Sequence, residues 1–296
     1  MSVVLITGTS SGFGLAAALA FARDGHTVYA SMRDTAKGAP LAEAARGEKL
    51  DLRLVTLDVT KPATFAPLIR SIVSSSGRLD VLVNNAGILR VGAFEDLSEA
   101  DVRSVVETNL FAPLLLTRAV LPQMRSQGGG YVIMVSSLSG IAGLPGDVAY
   151  TASKFGLEGA TEALRHEVDR WGIRVALVEA GGYATRILDA SLASGAPLPP
   201  DYPANSPYQA FIEYRVREMR RRRGEAFDPS MVADLLVHIA KSDGRQLRWP
   251  ADPVAKKVLA TMLAQDDAAR DEFLRGVSGS DWWSQGGSPP SPASDR

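Results

Sequence analysis

Val3-Val4-Leu5-Ile6-Thr7-Gly8-Thr9-Ser10-Ser11-Gly12-Phe13-Gly14 is the stretch on which the fold turns. An uninterrupted apolar run ends in a glycine-rich turn, and Gly12–Asp24 then reads as a helix. That is strand, tight turn, helix. Outward from it the same rhythm repeats. Thr27–Ser31, Leu52–Leu57, Val81–Asn84, Tyr131–Ser136 and Arg174–Glu179 read as further strands, with a weaker one at Gln246–Trp249. Helices fit Thr64–Ser75, Ala100–Gln127, Val148–Trp171 and Pro229–Lys241. Strands rich in Val, Ile and Leu without polar alternation are expected where helices cover both faces of a parallel sheet. The expected fold is therefore an α/β, Rossmann-type, doubly wound parallel sheet of about seven strands.

The turn itself carries chemistry. Its glycines permit positive φ and let a phosphate approach the backbone, whose amides and helix N-terminus attract an anion. The spacing differs from G-x-G-x-x-G, because three residues separate Gly8 from Gly12. A tight connection without a ligand remains open, and so does a second chemistry: Gly8-Thr9-Ser10-Ser11-Gly12 matches the G-x-S-x-G elbow of serine hydrolases. Only six residues precede Thr7, which leaves no earlier strand for an oxyanion donor, and His26, His166 and His238 are the available bases. No Gly-Lys-Ser/Thr follows, so a P-loop is excluded.

Composition narrows the partners. The formal net charge of -1 gives no pull toward nucleic acid or an anionic membrane. With no cysteine there is no disulfide, thiolate zinc site or cysteine nucleophile. His166-Glu167 begins like a zinc-protease motif, but Arg170 stands where the second histidine belongs, and no metal is expected. Leu110–Leu121 is interrupted by Pro113, Thr117 and Arg118, so no membrane span is expected, and a cytoplasmic location fits. Two segments break the β-α rhythm. Ser191–Pro207 holds five prolines ahead of a helical stretch, Tyr208–Arg223, and residues 186–228 read as a lid. Asp252–Gly276 reads as an appended helix closing a single domain over 1–276, with 277–296 a flexible tail.

Four ordered motifs across roughly residues 3–190 resemble the short-chain dehydrogenase/reductase family. They are Thr7–Gly14, Asn84-Asn85-Ala86-Gly87, Ser137, and Tyr150-Thr151-Ala152-Ser153-Lys154. The wording VYASMRD (28–34) and YTASKFGLEG (150–159) is most similar to the 17-beta-hydroxysteroid and retinol dehydrogenase branch. The resemblance implies hydride transfer between a nicotinamide nucleotide and a small apolar alcohol or carbonyl compound. It implies catalytic roles for Asn109, Ser137, Tyr150 and Lys154. It implies cofactor contacts at Gly8, Ser10, Ser11, Gly12, Phe13, Gly14, Arg33, Asp58, Val59, Asn85, Ala86, Gly87, Tyr183 and Thr185, as well as Tyr150 and Lys154. Ala180 replaces the family's usual proline ahead of Gly181. A homodimer through the helices at 100–127 and 148–171 is also implied.

The residues support that chemistry. Tyr150 and Lys154, four apart on a helix, share one face, and an ammonium beside a phenol favours phenolate. A hydroxyl at Ser137 can donate to the substrate oxygen. Met32-Arg33-Asp34, after the second strand, offers both an arginine for a 2′-phosphate and an acid for ribose hydroxyls. In the family's register Met32 takes the acidic position, so NADP(H) is the expected cofactor and Asp34 is expected to turn away. Leu144, Tyr183, Ile187, Leu188, Leu198, Tyr202, Tyr208 and Phe211 suggest an apolar pocket. A silent NADP(H)-binding regulator is the alternative, followed by a hydrolase using Ser10.

Overall fold

In the computed structural model Val3–Thr7 forms strand β1 with all five residues buried, and Gly12–Arg23 forms helix α1. The structure describes the whole chain except residues 184–186, 188–190, 192–195, 224–226 and 291–296, and only the backbone at 222, 223 and 284. Six more strands follow: β2 (Thr27–Met32), β3 (Leu52–Thr56), β4 (Val81–Asn84), β5 (Gly130–Val135), β6 (Ile173–Glu179) and β7 (Arg248–Pro250). They form one parallel sheet in the order β3-β2-β1-β4-β5-β6-β7. The expected Rossmann-type sheet is present.

Alternate strand residues feed two cores. Val4, Ile6, Val28, Val83, Ile133 and Val178 pack against α1 and helix α8 (Ser230–Lys241) on one face. Leu5, Leu82, Val132, Met134, Val175 and Leu177 meet α3 (Phe65–Ser76), α5 (Ala112–Ser126) and α6 (Val148–Val168) on the other. Burial on both faces is why the inner strands read as apolar runs, while the edge strands β3 and β7 are only partly buried. The chain runs outward from β1 to β3, then returns to β4 on the other side. A crevice opens where the order reverses, at the carboxyl ends of β1 and β4.

Several elements differ from expectation. Helix α2 (Ala39–Gly47) was not foreseen: Pro40 sits in its first turn, where proline is tolerated, and only Leu41, Ala45 and the neighbouring Gly38 mark its buried side. The expected helix at 100–127 is one continuous run, Glu99–Ser126, made of α4 (Glu99–Val106), a π-helical turn (Glu107–Phe111) and α5. By length and composition it could cross a membrane, yet Leu116, Val120 and Met124 are fully buried in the second core. The helix expected at 252–276 is two. After α7 (Gln209–Arg223) and α8 come α9 (Pro253–Ala264) and α10 (Asp267–Ser278), each capped by an aspartate, Asp252 on the Ala255 amide and Asp266 on the Ala269 amide. The expected boundary at Gly276 falls inside α10. Past it, a helical turn at Asp281–Ser284 stacks Trp283 on Phe211 of α7, ring centroids 5.2 Å apart.

Candidate active site

The glycine turn is held shut by the loop after β4. Thr7 Oγ1 accepts the Asn85 and Ala86 amides at 2.9 and 3.0 Å, and Asn85 Nδ2 donates to the Thr7 and Gly8 carbonyls at 2.8 and 3.2 Å. Gly8 takes a φ of +72°, and a Cβ there would lie 2.8 Å from Ala86 Cα. The N-cap residue Ser11 makes no side-chain capping bond, which leaves the first amides of α1 for an anion beside the crevice. These residues fit a nucleotide phosphate. Phe13 meets Tyr183 edge-on with ring centroids 5.0 Å apart, so these two expected contacts sit together. Thr185 and Leu188 lie outside the described residues.

Ser10 is exposed in this turn, but the histidines a hydrolase needs are engaged elsewhere. His26 binds the Ser2 amide and Asp24 at the opposite end of the sheet, and His238 packs against Trp249. His166 lies in the last turn of α6. None is paired with Ser10.

At the end of β2, Met32 is buried and Arg33 exposed, while Asp34 turns aside to accept the Ala36 amide at 3.0 Å. Asp58 follows β3. Burial would raise its carboxyl, but the Thr60 hydroxyl and amide, Lys61 and Arg33 together hold it below its ordinary value.

Tyr150 and Lys154 share a face of α6, with Lys154 Nζ 5.7 Å from the centre of the phenol ring. Lys154 is 5% exposed, and its Nζ donates to the Val135 carbonyl at 2.8 Å. Burial pushes this ammonium down to about 8, with the Glu158 carboxylate pulling it back. The phenol departs from the expectation of a lysine-lowered value. Burial pushes Tyr150 up to about 12 and the Asp147 carboxylate adds to this, while the Ser137 hydroxyl opposes both. Ser137, just past β5, accepts the Ser139 amide at 3.2 Å and faces that phenol. Asn109 lies in the π-helical turn, a feature common at functional sites. Its Oδ1 accepts the Ile88 amide at 2.9 Å, and its Nδ2 donates to the Ile88 carbonyl and Ser153 Oγ. It therefore fixes the segment after Gly87 and makes no direct bond to Lys154.

Sequence reasoning missed a shell of charged groups around this pair. Asp147, just before α6, accepts hydroxyls from Ser139 and Thr151, and burial pushes it up to about 6. Below Lys154, Glu158 pairs with Arg248 of β7 at 3.0 Å, and Glu179 at the end of β6 lies 3.9 Å from the same guanidinium. Glu95 and Asp96 were also missed: Asp96 accepts the Tyr202 and Ser206 hydroxyls and Glu95 the Tyr208 hydroxyl, tying the segment before α7 down. The local signals for Glu158 and Asp147 were their spacings of four after Lys154 and four before Thr151.

Glu179 carries a stability prediction. It is fully buried, and neither carboxyl oxygen has a hydrogen-bond partner among the described residues. Burial first, and the Glu158 carboxylate second, push it up to about 8 from 4.5. The folded state therefore holds a proton that the unfolded state releases. The resulting stability is complete below about pH 4.5 and is lost as the pH rises through about 8. From pH 6 to 8 this costs about 2 kcal/mol at one proton per unit. Asp147 changes mostly below that window. Urea unfolding of Glu179→Gln should show a slope over pH 6–8 flatter by that amount than wild type; parallel slopes would contradict a buried neutral carboxyl.

Against known proteins, residues 2–194 match the family model described as short chain dehydrogenase. Human 17-beta-hydroxysteroid dehydrogenase type 1 is 34% identical over 254 residues, covering 84% of this chain and 76% of that protein. A crystal structure of a short-chain dehydrogenase from Streptomyces avermitilis superposes with a TM-score of 0.74 at 31% identity, covering 96% of this chain and 97% of that one. A metagenomic short-chain oxidoreductase in complex with NADP gives a TM-score of 0.65 at 26% identity, covering 84% and 95%. The glycine turn, the sheet order and the Ser137–Tyr150–Lys154 cluster thus meet in a chain that belongs to the short-chain dehydrogenase family.

Proposed function

We propose that the protein is an NADP(H)-dependent oxidoreductase that interconverts an apolar alcohol and its ketone or aldehyde, with Tyr150 as the acid/base. The observation that carries this reading is the half-buried Tyr150 and buried Lys154 on one face of α6, with the Ser137 hydroxyl against the phenol. A bound nicotinamide nucleotide supplies or accepts the hydride. Gly8, Ser10, Ser11, Gly12, Phe13 and Gly14 would hold its phosphates at the α1 N-terminus, and Asp58, Val59, Asn85, Ala86 and Gly87 would line its adenosine side. Lys154 would hold the nicotinamide ribose, and Tyr183 and Thr185 would flank the carboxamide.

In reduction Tyr150 Oη gives its proton to the substrate oxygen, while Ser137 Oγ donates a hydrogen bond to that oxygen and stabilises its developing charge. A phenol pushed up to about 12 keeps its proton at neutral pH, the form that proton donation in reduction requires. Asn109 acts through the Ile88 backbone and Ser153. An apolar substrate is supported by the cluster of Val91, Ala93, Phe211, Ile212 and Val216 beneath Leu198, Tyr202 and Tyr208, and by the steroid named for the human relative. The absence of cysteine agrees with a cytoplasmic location. Homodimerisation is supported by exposed Phe111 and Phe155 on the long helix and α6.

NADP(H) preference rests on exposed Arg33 beside buried Met32, with Asp34 turned away. Nucleotide absorbance with steroid, retinoid and aryl ketones should show faster turnover with NADPH than NADH. Arg33→Ala should lower kcat/KM for NADPH about tenfold, the scale of one charge-assisted phosphate contact, and spare NADH. Preference for NADH reverses the cofactor assignment. Tight nucleotide binding with no turnover of any carbonyl compound favours the silent regulator instead.

A further inference from the structure

Tyr150, Lys154, Glu158 and Glu162 recur every four residues along α6 and therefore form one ladder on the helix. The first two belong to the proposed reaction; the next two do not. Glu158 is 4% exposed, an unusual place for a carboxylate. Its Oε2 is held by Arg248 Nε at 3.0 Å, while Oε1 has no hydrogen-bond partner. A Cβ placed on Gly140 would touch both Ser136 Oγ, at 2.8 Å, and Glu158 Oε1, at 3.2 Å, so the carboxylate lies against Ser136. Ser136 follows Val135, whose carbonyl accepts Lys154 Nζ. The second oxygen of Glu158 thus sits one helical turn below a buried ammonium whose hydrogen-bond partner among the described residues is one neutral carbonyl.

We propose that Glu158, anchored by Arg248, is a positioning residue that holds Lys154 in its charged form. Glu158, buried one helical turn beyond Lys154, acts through Lys154. The charged and titratable groups facing the pair are Tyr150 and Glu162 on α6, Glu179 on β6 and Arg248 on β7, with Ser136 from the end of β5. Burial pushes the Glu158 carboxyl up, and Ser136, Arg248 and Lys154 oppose this. With Glu179 pushed up to about 8, Glu158, bound to the Arg248 that it shares with the exposed Glu162, is the carboxylate placed beneath Lys154. A lone ammonium in this interior would lose its proton near neutrality.

The spectroscopic test needs no turnover. Protein labelled with lysine carrying 13C at Cε is titrated by NMR, and the Lys154 signal is assigned by its loss in Lys154→Met. The wild-type midpoint is expected near 8. Glu158→Gln should lower the proton affinity of Lys154 about tenfold or more, the scale of a buried charge pair. Glu162→Gln, exposed and also paired with Arg248, should leave the midpoint in place. If Glu158→Gln does not fold, Glu158→Asp carries the test with a smaller fall in the same direction. An unchanged midpoint in a folded Glu158 variant, or an equal shift in Glu162→Gln, overturns the proposal. The kinetic arm rests on the oxidoreductase reading: the alkaline limb of kcat/KM for ketone reduction should move down with the NMR midpoint, whereas an inactive wild type defeats that reading and leaves the NMR result standing.

Discussion

Tyr150→Phe should lower kcat for carbonyl reduction about a thousandfold or more, while the NADPH dissociation constant stays within about twofold. The magnitude follows from what one positioned proton donor contributes to a transition state, typically 10²–10⁴-fold. The substitution removes only a hydroxyl. The ring that packs 5.7 Å from Lys154 Nζ remains, and Lys154 keeps its bond to the Val135 carbonyl. In the proposed complex nucleotide affinity would reside mainly in the glycine turn and Arg33, outside the altered group. Removing the hydroxyl of a half-buried phenol already pushed toward its neutral form leaves no charge unpaired, so thermal stability should change little. Single-turnover absorbance with saturating NADPH separates the loss of chemistry from any loss of binding. Retained turnover would defeat the acid/base assignment; lost turnover with lost NADPH affinity would point to a structural role.

The sheet was legible because burial on both faces writes each inner strand as a mostly apolar run, and because the glycine turn and the Tyr150–Lys154 spacing are local. What escaped depends on pairings remote in sequence. Arg248 reaches Glu158 only because β7 aligns Arg248 with Leu177 of β6, and nothing near Gln246 announces this. The clasp of Tyr202 and Ser206 on Asp96 joins residues more than a hundred positions apart. The reversal at Tyr150 has a different origin. Spacing showed the nearby ammonium, but the desolvation that raises the phenol exists only once the protein is folded. Helix breaks were harder still: Asp266, two residues past one helix, caps the next, and an aspartate inside an amphipathic pattern reads as a solvated residue until its amide partner is known.

Gly14→Ala and Gly159→Ala are the same substitution and should have opposite signs. Both glycines lie in helices, α1 and α6, where alanine ordinarily gains roughly 0.5–1 kcal/mol by reducing the freedom of the unfolded chain. At Gly159 a Cβ would meet nothing within 4 Å, so the variant should gain that amount. At Gly14 the Cβ would stand 2.3 Å from the Gly8 carbonyl oxygen and 2.6 Å from Asn85 Nδ2. Neither neighbour can yield cheaply. The carbonyl is backbone of the turn, and Asn85 Nδ2 is already committed to the Thr7 and Gly8 carbonyls. Relief requires α1 to move off β1, loosening the Ala17, Ala18 and Phe21 face from the first core. Overpacking of this kind costs about 3 kcal/mol and exceeds the helix-propensity gain. Because the displaced helix also carries the uncapped amides proposed to hold phosphate, NADPH affinity should fall at least about tenfold in Gly14→Ala and stay unchanged in Gly159→Ala. Urea unfolding and nucleotide fluorescence read the two effects separately. Stability lost without affinity would keep the close packing and remove the phosphate site; two stabilised variants would mean that α1 does not approach the turn this closely.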